Sequence, residues 1–306
     1  MTRPGVVVAV VGPTAAGKSA LGIALAAALG GEVVNADSMQ LYRGMDIGTA
    51  KLGPDEWEGV PHHLLDCWDV THTASVAEYQ ADARAVVDRL LAQGRTPVLV
   101  GGSGLYVRAV LSELDFPGTD PAVRARLEAD LEAEGPGALH ARLATVDPAA
   151  AAAILPANGR RIVRALEVVE ITGQPFTARL PAPRPVYDAV QVGVDLDPDV
   201  LDERVERRVE HMWERGLVDE VRALEPLGLR EGRTASRALG YAQVLRMLDG
   251  ELSEEDAVRL TAQSTRRFVR RQRAWFRRDP EVRWLDPTSP DVVARALELV
   301  GTGGTA

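Results

Sequence analysis

Eight residues near the N-terminus carry the most specific chemistry in the chain. Gly12, Pro13, Thr14, Ala15, Ala16, Gly17, Lys18 and Ser19 fit the pattern G-x-x-x-x-G-K-[ST]. Glycines in such a turn let backbone N–H groups converge on phosphate oxygens, and the helix that follows adds partial positive charge at its N-terminus. Lys18 supplies a full charge, and the Ser19 hydroxyl can reach a Mg²⁺ ion. The motif needs a strand before it and a helix after it. Val6–Val11 is a β-branched apolar run, and Ser19–Leu29 has an Ala/Leu-rich helical pattern. The pattern implies a bound phosphate without naming the compound that carries it.

Asp37 is the second candidate. It stands at the end of a second predicted strand, Glu32–Asp37, and ligands of parallel α/β sheets bind at such ends. Three roles are open to it: a Mg²⁺ ligand, a general base, or a cap for the next turn. Ser38 and Gln40 offer hydrogen bonds to a flat heterocycle. The polar, glycine-punctuated stretch from Tyr42 to Lys51 reads as a loop that approaches a ligand. An NTPase usually places an acid after a further apolar strand. Here Val98–Val100 runs into Gly101-Gly102-Ser103-Gly104, with no acid at its end, so hydrolysis is disfavoured.

These residues need a scaffold, and the apolar patterning supplies one. Strand runs at Val6–Val11, Glu32–Asp37, Thr96–Gly101 and Ala189–Leu196 alternate with helical patterns at Ser19–Leu29, Ser75–Gln93 and Ser103–Leu111. That order implies parallel strands joined by crossovers. Between 117 and 186 only helices are predicted, at Pro121–Glu134, Pro148–Leu155 and Arg160–Ile171, followed by a proline-rich connector at 179–185. The C-terminal third reads as helices at Asp199–Leu224, Ala235–Leu248 and Ser253–Arg278, with a frayed tail at 301–306. The expected fold is therefore α/β: a P-loop-type parallel sheet flanked by helices, with an inserted all-helical domain and a helical C-terminal region. Residues 1–116 and 187–306 form the catalytic core, and 117–186 the insertion.

Seven segments, in order along nearly the whole chain, carry a family resemblance: GPTAAGKS at 12–19, NADSMQLYRGMDIGTAK at 35–51, PHHLLD at 61–66, GGSGLY at 101–106, GRRIVRALEV at 159–168, SRALGY at 236–241 and RRFVRRQRAWFRRD at 266–279. The sequence resembles the tRNA dimethylallyltransferase (tRNA isopentenyltransferase) family. The resemblance implies transfer of a dimethylallyl group from dimethylallyl diphosphate to N6 of the adenosine immediately 3′ of the anticodon, tRNA position 37. It implies that the P-loop holds the prenyl diphosphate, with Mg²⁺ on Ser19, and that Asp37 acts as the base. Lys18, Ser103 and Arg237 are the further catalytic candidates; Ser103 keeps the hydroxyl of a threonine found in other members. For tRNA contact the resemblance points to Asp37, Ser38, Met39, Gln40, Ser103, Arg124, Arg160, Arg161, Ile162, Val163, Arg164, Arg270 and Arg271. The insertion is implied to touch tRNA.

The arginines can be read without the family. Arg259, Arg266, Arg267, Arg270, Arg271, Arg273, Arg277 and Arg278 lie on or near one predicted helix, with Phe268, Trp275 and Phe276 among them. Val258, Thr265, Phe268, Gln272 and Trp275 are the expected core stripe of that helix, and the arginines the expected RNA-facing side. The chain as a whole is acidic, with 35 Lys and Arg against 44 Asp and Glu, so any basic surface must be local. Hydrophobic residues at 46% and charged residues at 26% place it among globular proteins and exclude wholesale disorder. A single cysteine, Cys67, fits a reducing cytoplasm, and no apolar run is long enough for a membrane span. His62 and His63 near Cys67 lack a second pair at zinc-finger spacing, so they are expected to shape the pocket or the sheet edge. A cytoplasmic monomer that binds the tRNA anticodon stem-loop and dimethylallyl diphosphate is the expectation. The competing readings are a P-loop kinase or adenylate prenyltransferase acting on a free nucleotide, and an RNA-binding nucleotide switch without chemistry. The insertion and the arginine-rich helix favour the RNA substrate, because a small molecule needs neither.

Overall fold

The computed structural model describes residues 5–176, 182 and 184–302. The chain divides into two compact units, one of residues 1–113 and 185–306, the other of residues 114–184. The divisions fall two to three residues before the positions expected from sequence.

The larger unit is built on six parallel strands: β1 (Val7–Val11), β2 (Glu32–Asn35), β3 (His62–His63), β4 (Pro97–Gly101), β5 (Ala189–Val194) and β6 (Val282–Leu285). Their order across the sheet is β3-β2-β4-β1-β5-β6. Every residue of β1 is buried because helices cover both faces. Val7, Ala9 and Val11 join one core, and Val6, Val8 and Val10 the other, as the two-residue period of a strand requires. The first core is closed by α2 (Val76–Ala92), α3 (Gly104–Leu111), α8 (Leu217–Leu224) and α9 (Tyr241–Leu248). The second is closed by α1 (Lys18–Leu29), α7 (Pro198–Glu214) and α11 (Val292–Thr302). The chain therefore leaves β1 toward one face and leaves the adjacent β4 toward the other. A crevice opens at the strand ends where neighbouring connections diverge like this. The P-loop lies in it.

Strand β6 and helix α11 were not expected; they add to the mostly helical C-terminal third read from sequence. Val282–Leu285 is an edge strand of four residues with Arg283 exposed, too short and too polar to show a period. The helix predicted over 199–224 is two helices, broken where Gly216 adopts φ +93°. The predicted helix at 235–248 is a 3₁₀ turn, Ala235–Arg237, followed by α9. Helix α10 (Glu254–Phe276) starts at Ser253, whose hydroxyl accepts from the Asp256 amide at 3.1 Å.

The smaller unit contains α4 (Pro121–Val146), α5 (Pro148–Ala153) and α6 (Gly159–Thr172), packed on Leu127, Leu139, Leu143, Ile154, Ile162 and Leu166. Helix α4 runs beyond the predicted Glu134: Gly135 breaks it at φ +78°, and Pro136 starts a second helical piece. The proline-rich connector at 179–185 falls largely outside the described residues, as do residues 303–306 of the tail.

Candidate active site

The cradle starts where β1 ends. Gly12 has φ +140°, and a Cβ there would overlap the carbonyl oxygen of Val194 at the end of β5. No other residue fits so close a passage between two strand ends. Gly17, at φ +89°, is the N-cap of α1 and brings no side chain to the first-turn amides. Those amides are left for an anion. The Lys18 ammonium folds back to donate to the Pro13 carbonyl at 2.6 Å. Burial pushes its pKa down to about 8, against the attraction of Asp37 and with the repulsion of Arg208 adding to the fall.

Asp37 leaves β2 through a loop that Asn35 holds. The buried Asn35 carboxamide accepts from the Asp37 amide at 2.9 Å and donates to the carbonyls of Asp37 and Leu64 at 3.0 and 2.9 Å. One Asp37 carboxylate oxygen accepts from the Met39 amide at 3.0 Å, which fixes its rotamer. The chain then returns through a loop braced from within. Gln40 donates to the Thr49 carbonyl at 3.2 Å. Lys51, its ammonium buried, donates to the Tyr42 carbonyl and to Asp46 and Asp66 at 2.6–2.8 Å. Lys51 is thus a strut of this loop. Glu220 on α8 accepts from the amides of Asp46, Ile47 and Gly48 at 2.7–3.2 Å.

Two cavities meet at this point. One, of about 240 Å³, is lined by Thr14, Gly17, Lys18, Ser19, Asn35, Asp37, Gln40, His62, Arg204 and Arg208, among others. The other, of about 290 Å³, has Ser38, Met39, Met212, Arg237, Leu239, Phe268 and Arg271 in its wall. Thr14, Asp37, Thr49 and Arg208 belong to both. The first lobe gathers Lys18, Arg204 and Arg208 around one carboxylate, an excess of positive charge suited to a polyanion. The second adds apolar surface and two further guanidinium groups.

Arg204 and Arg208 escaped the sequence reading. They lie four residues apart on α7, beside Leu201, Val205 and Val209, which bury the helix. Their guanidinium groups donate to Ala15 of the cradle at 3.2 Å and to Thr49 at 3.1 Å. Burial lowers the Arg208 pKa and the charge of Asp37 opposes that fall. The only signal was an i, i+4 arginine pair on an amphipathic helix, which reads equally as a solvated face. Gln272, taken from sequence as a core residue, is buried but ties the cradle down: its Oε1 accepts from the Thr14 amide at 2.8 Å.

The remaining expectations divide. Gly12–Ser19, Asp37, Ser38, Met39, Gln40, Arg237 and Arg271 come together around the two lobes or in the cradle wall. Ser103 caps α3 without a side-chain cap bond and lines neither cavity. Ile162 and Val163 are at most 1% exposed, in the core of the helical unit. Arg124 and Arg164 are turned to the buried carboxylate of Glu167, while Arg160 and Arg161 are exposed. On α10 the expected basic face is largely neutralised. Arg270 pairs with Asp202, Arg266 with Glu206, Arg259 with Asp256, and Arg273 and Arg277 share Asp195. Arg267, Arg271 and Arg278 carry no ion pair among the described residues. The core stripe of α10 is Ala257, Thr261, Ala262, Thr265, Val269, Gln272 and Phe276, and Trp275 is 38% exposed. His62 and His63 form β3 at the sheet edge; His62 also lines the first lobe. No group of three or more His, Cys, Asp or Glu that could hold a metal ion occurs among the described residues.

The model of IPP transferases matches residues 40–279. The chain belongs to the IPP transferase family. It is 71% identical to the tRNA dimethylallyltransferase of Salinispora arenicola over 97% of this chain and 86% of that one. Its identity to the tRNA dimethylallyltransferase of Streptomyces coelicolor is also 71%, over 91% and 89% of the two chains. Among solved structures, the tRNA isopentenylpyrophosphate transferase of Bacillus halodurans superposes with a TM-score of 0.71 at 42% identity, covering 97% of this chain and 94% of that one. A eukaryotic dimethylallyltransferase acting on tRNA gives a TM-score of 0.80 at 26% identity, over 96% and 77%. This family member therefore shares its fold along nearly its whole length with proteins named for prenyl transfer.

Proposed function

We infer that this protein is a tRNA dimethylallyltransferase: it moves the dimethylallyl group of dimethylallyl diphosphate to N6 of the adenosine immediately 3′ of the tRNA anticodon. The observation that carries the reading is one carboxylate, Asp37, standing in both lobes of a cavity whose other wall is a phosphate cradle. The first lobe takes the diphosphate on the P-loop amides, Lys18, Arg204 and Arg208. Asp37 accepts a hydrogen bond from the exocyclic amine of the purine. The amine nitrogen forms a bond to the allylic carbon as that carbon's bond to diphosphate oxygen breaks. The amine proton passes to the Asp37 carboxylate, and diphosphate leaves with the electron pair.

The amine is a poor nucleophile because its lone pair is delocalised into the ring, so a positioned base is worth about 10²- to 10⁴-fold. The leaving group develops negative charge, and Lys18 with the two arginines meets it. Mg²⁺ fits the donor set here: the Ser19 hydroxyl lines this lobe and would hold a hard cation alongside phosphate oxygens, which leaves Asp37 free as the base. Bound there, the ion would neutralise charge on the diphosphate.

The target base must leave its stack to reach the carboxylate, which costs a few kcal/mol and is offset by contacts to phosphates and by stacking. Arg237 and Arg271 in the second lobe, Arg267 on α10, Arg278 just past its end, and Arg160 and Arg161 on α6 are the side chains proposed to supply phosphate contacts. Ser38, Met39 and Gln40 are proposed to flank the base. Ser103, outside both lobes, is proposed to touch the RNA rather than the reacting atoms.

The relatives named for tRNA favour this reading over action on a free nucleotide. The reading is tested by comparing unmodified tRNA with free AMP as acceptors for labelled dimethylallyl diphosphate. Label on tRNA alone supports it, and label on AMP alone would replace it.

A further inference from the structure

The P-loop is held from outside by a side chain on α10. Gln272 is 4% exposed, and its carboxamide makes two bonds of opposite sense. Its Oε1 accepts from the Thr14 amide of the cradle at 2.8 Å, and its Nε2 donates to the Gly102 carbonyl at 3.0 Å. Thr14 follows β1 and Gly102 follows β4, the two strands whose connections diverge to open the crevice. One carboxamide therefore bridges the two lips of the site.

We propose that Gln272 is a positioning residue for the donor diphosphate, setting the P-loop by occupying the Thr14 amide and locking it to the loop after β4. The proposal rests on the reading of the first lobe as the diphosphate site. Three observations support it.

The first is chemical. Only a side chain with one acceptor and one donor at this length satisfies both a buried N–H and a buried C=O. Glutamate lacks the donor, and methionine lacks both. The second is steric. A Cβ on Gly102 would overlap Nε2 of Gln272, so the glycine is what lets the carboxamide reach this far. The third is that Gln272 is itself anchored. The next residue, Arg273, holds Asp195 with two bonds at 2.9 and 3.0 Å, and Arg277 reaches the same carboxylate at 2.8 Å. Asp195 directly follows Val194, whose carbonyl oxygen is the surface that Gly12 passes. Helix α10 thus fixes the cradle at Thr14 and the strand end beneath Gly12 within two consecutive residues.

The functional consequence is specific. A cradle binds diphosphate through several amides at once, so a loop that is not pre-set must be ordered at the cost of binding. Loss of Gln272 should weaken the donor and leave the affinity for tRNA as it was. The test is calorimetric titration of inorganic pyrophosphate with Mg²⁺ into the full chain and into Gln272→Met, Gln272→Glu and Gly102→Ala. Thermal melts and tRNA affinity are measured on the same preparations.

Gln272→Met should bind pyrophosphate about tenfold more weakly, the loss of a net hydrogen bond or two. Gln272→Glu should be weaker still, because it sets a carboxylate beside the anion. Gly102→Ala should reproduce Gln272→Met by displacing the carboxamide, and the double variant should be no worse than either single one. In steady state the KM for dimethylallyl diphosphate should rise while the KM for tRNA holds. Wild-type pyrophosphate affinity in Gln272→Met would overturn the proposal. So would equal losses of pyrophosphate and tRNA binding that track a lost folded fraction, since those mark a merely structural role. Absence of pyrophosphate binding by the wild-type chain would overturn the cradle reading and this proposal with it, and would be told apart by the wild-type curve alone.

Discussion

Lys18, Asp37 and Arg208 line a single cavity, and each has a role that a substitution separates. Asp37→Asn keeps the shape and the acceptor oxygen that the Met39 amide uses, and removes the base. Turnover should fall by about 10²- to 10⁴-fold, with tRNA affinity changed less than about threefold. Single-turnover kinetics beside a filter-binding assay checks this, and an unchanged rate would take Asp37 out of the base role. Lys18 gives a pH dependence with a definite sign. Its pKa in the free protein is about 8, so it is charged below that value and neutral above it. A bound diphosphate favours the charged form, so binding takes up a proton above about pH 8. Donor affinity should therefore hold below pH 8 and fall above it, by at most about tenfold per pH unit. Titration in buffers of different ionisation enthalpy reads the proton directly. The motif residues were legible because the P-loop pattern constrains backbone and side chain together. Arg204 and Arg208 were not, since nothing local separates an arginine that lines a cavity from one on a solvated face until α7 is packed.

Helix α10 shows how an element changes the meaning of its residues. In sequence its arginines form a single basic face, but α7 and the end of β5 bring Asp202, Glu206 and Asp195 against them. The acids are distant in sequence, which is why the pairing was not legible. The exposed pairs of Arg270 with Asp202 and Arg266 with Glu206 add little stability, yet they withdraw charge from a polyanion. Arg271→Ala should weaken tRNA binding and lower the slope of log affinity against log salt by about one. Arg270→Ala, whose partner Asp202 would be left to repel the RNA, should act by a different route: Asp202→Asn should offset it and should leave Arg271→Ala unaffected. Salt titrations of the four variants check both statements.

Helix α6 carries a parallel lesson. Glu167 is fully buried, and burial alone would raise its pKa, but hydrogen bonds from Arg124 and Arg164 outweigh that and hold it low. Arg164 also donates to the carbonyls of Pro117 and Gly118. These arginines organise the start of the helical unit. Glu167→Ala strands two guanidinium groups and should destabilise the chain by about 3 kcal/mol, seen as a lower denaturant midpoint. Because the folded pKa lies below the unfolded one, this contribution is present above the ordinary carboxylate range and is lost as pH falls through the folded value.

At the scale of the whole molecule, the sheet order explains why one crevice serves two substrates. β1 and β4 are neighbours, their connections part to opposite faces, and the P-loop and Gly102 line the gap. Strands β1 and β4 were readable because burial on both faces gives the unbroken apolar runs VVAVV and PVLV, and β2 (EVVN) and β5 (AVQVGV) because a β-branched apolar stretch survives between their polar residues. The edge strands β3 and β6, of two and four residues, were not readable for the same reason in reverse. The helical unit was visible as an absence of strand patterns between the strand that ends at Gly101 and the one that starts at Ala189. All of this bears on one statement, that the P-loop grips a prenyl diphosphate while Asp37 readies a tRNA adenosine. The most direct measurement is nucleoside mass spectrometry of unmodified tRNA after incubation with the protein, Mg²⁺ and dimethylallyl diphosphate. The expected result is one dimethylallyl group on the adenosine immediately 3′ of the anticodon, absent when Asp37 is replaced by Asn. A tRNA left unmodified by the wild-type protein, or modified equally well by Asp37→Asn, would contradict the account.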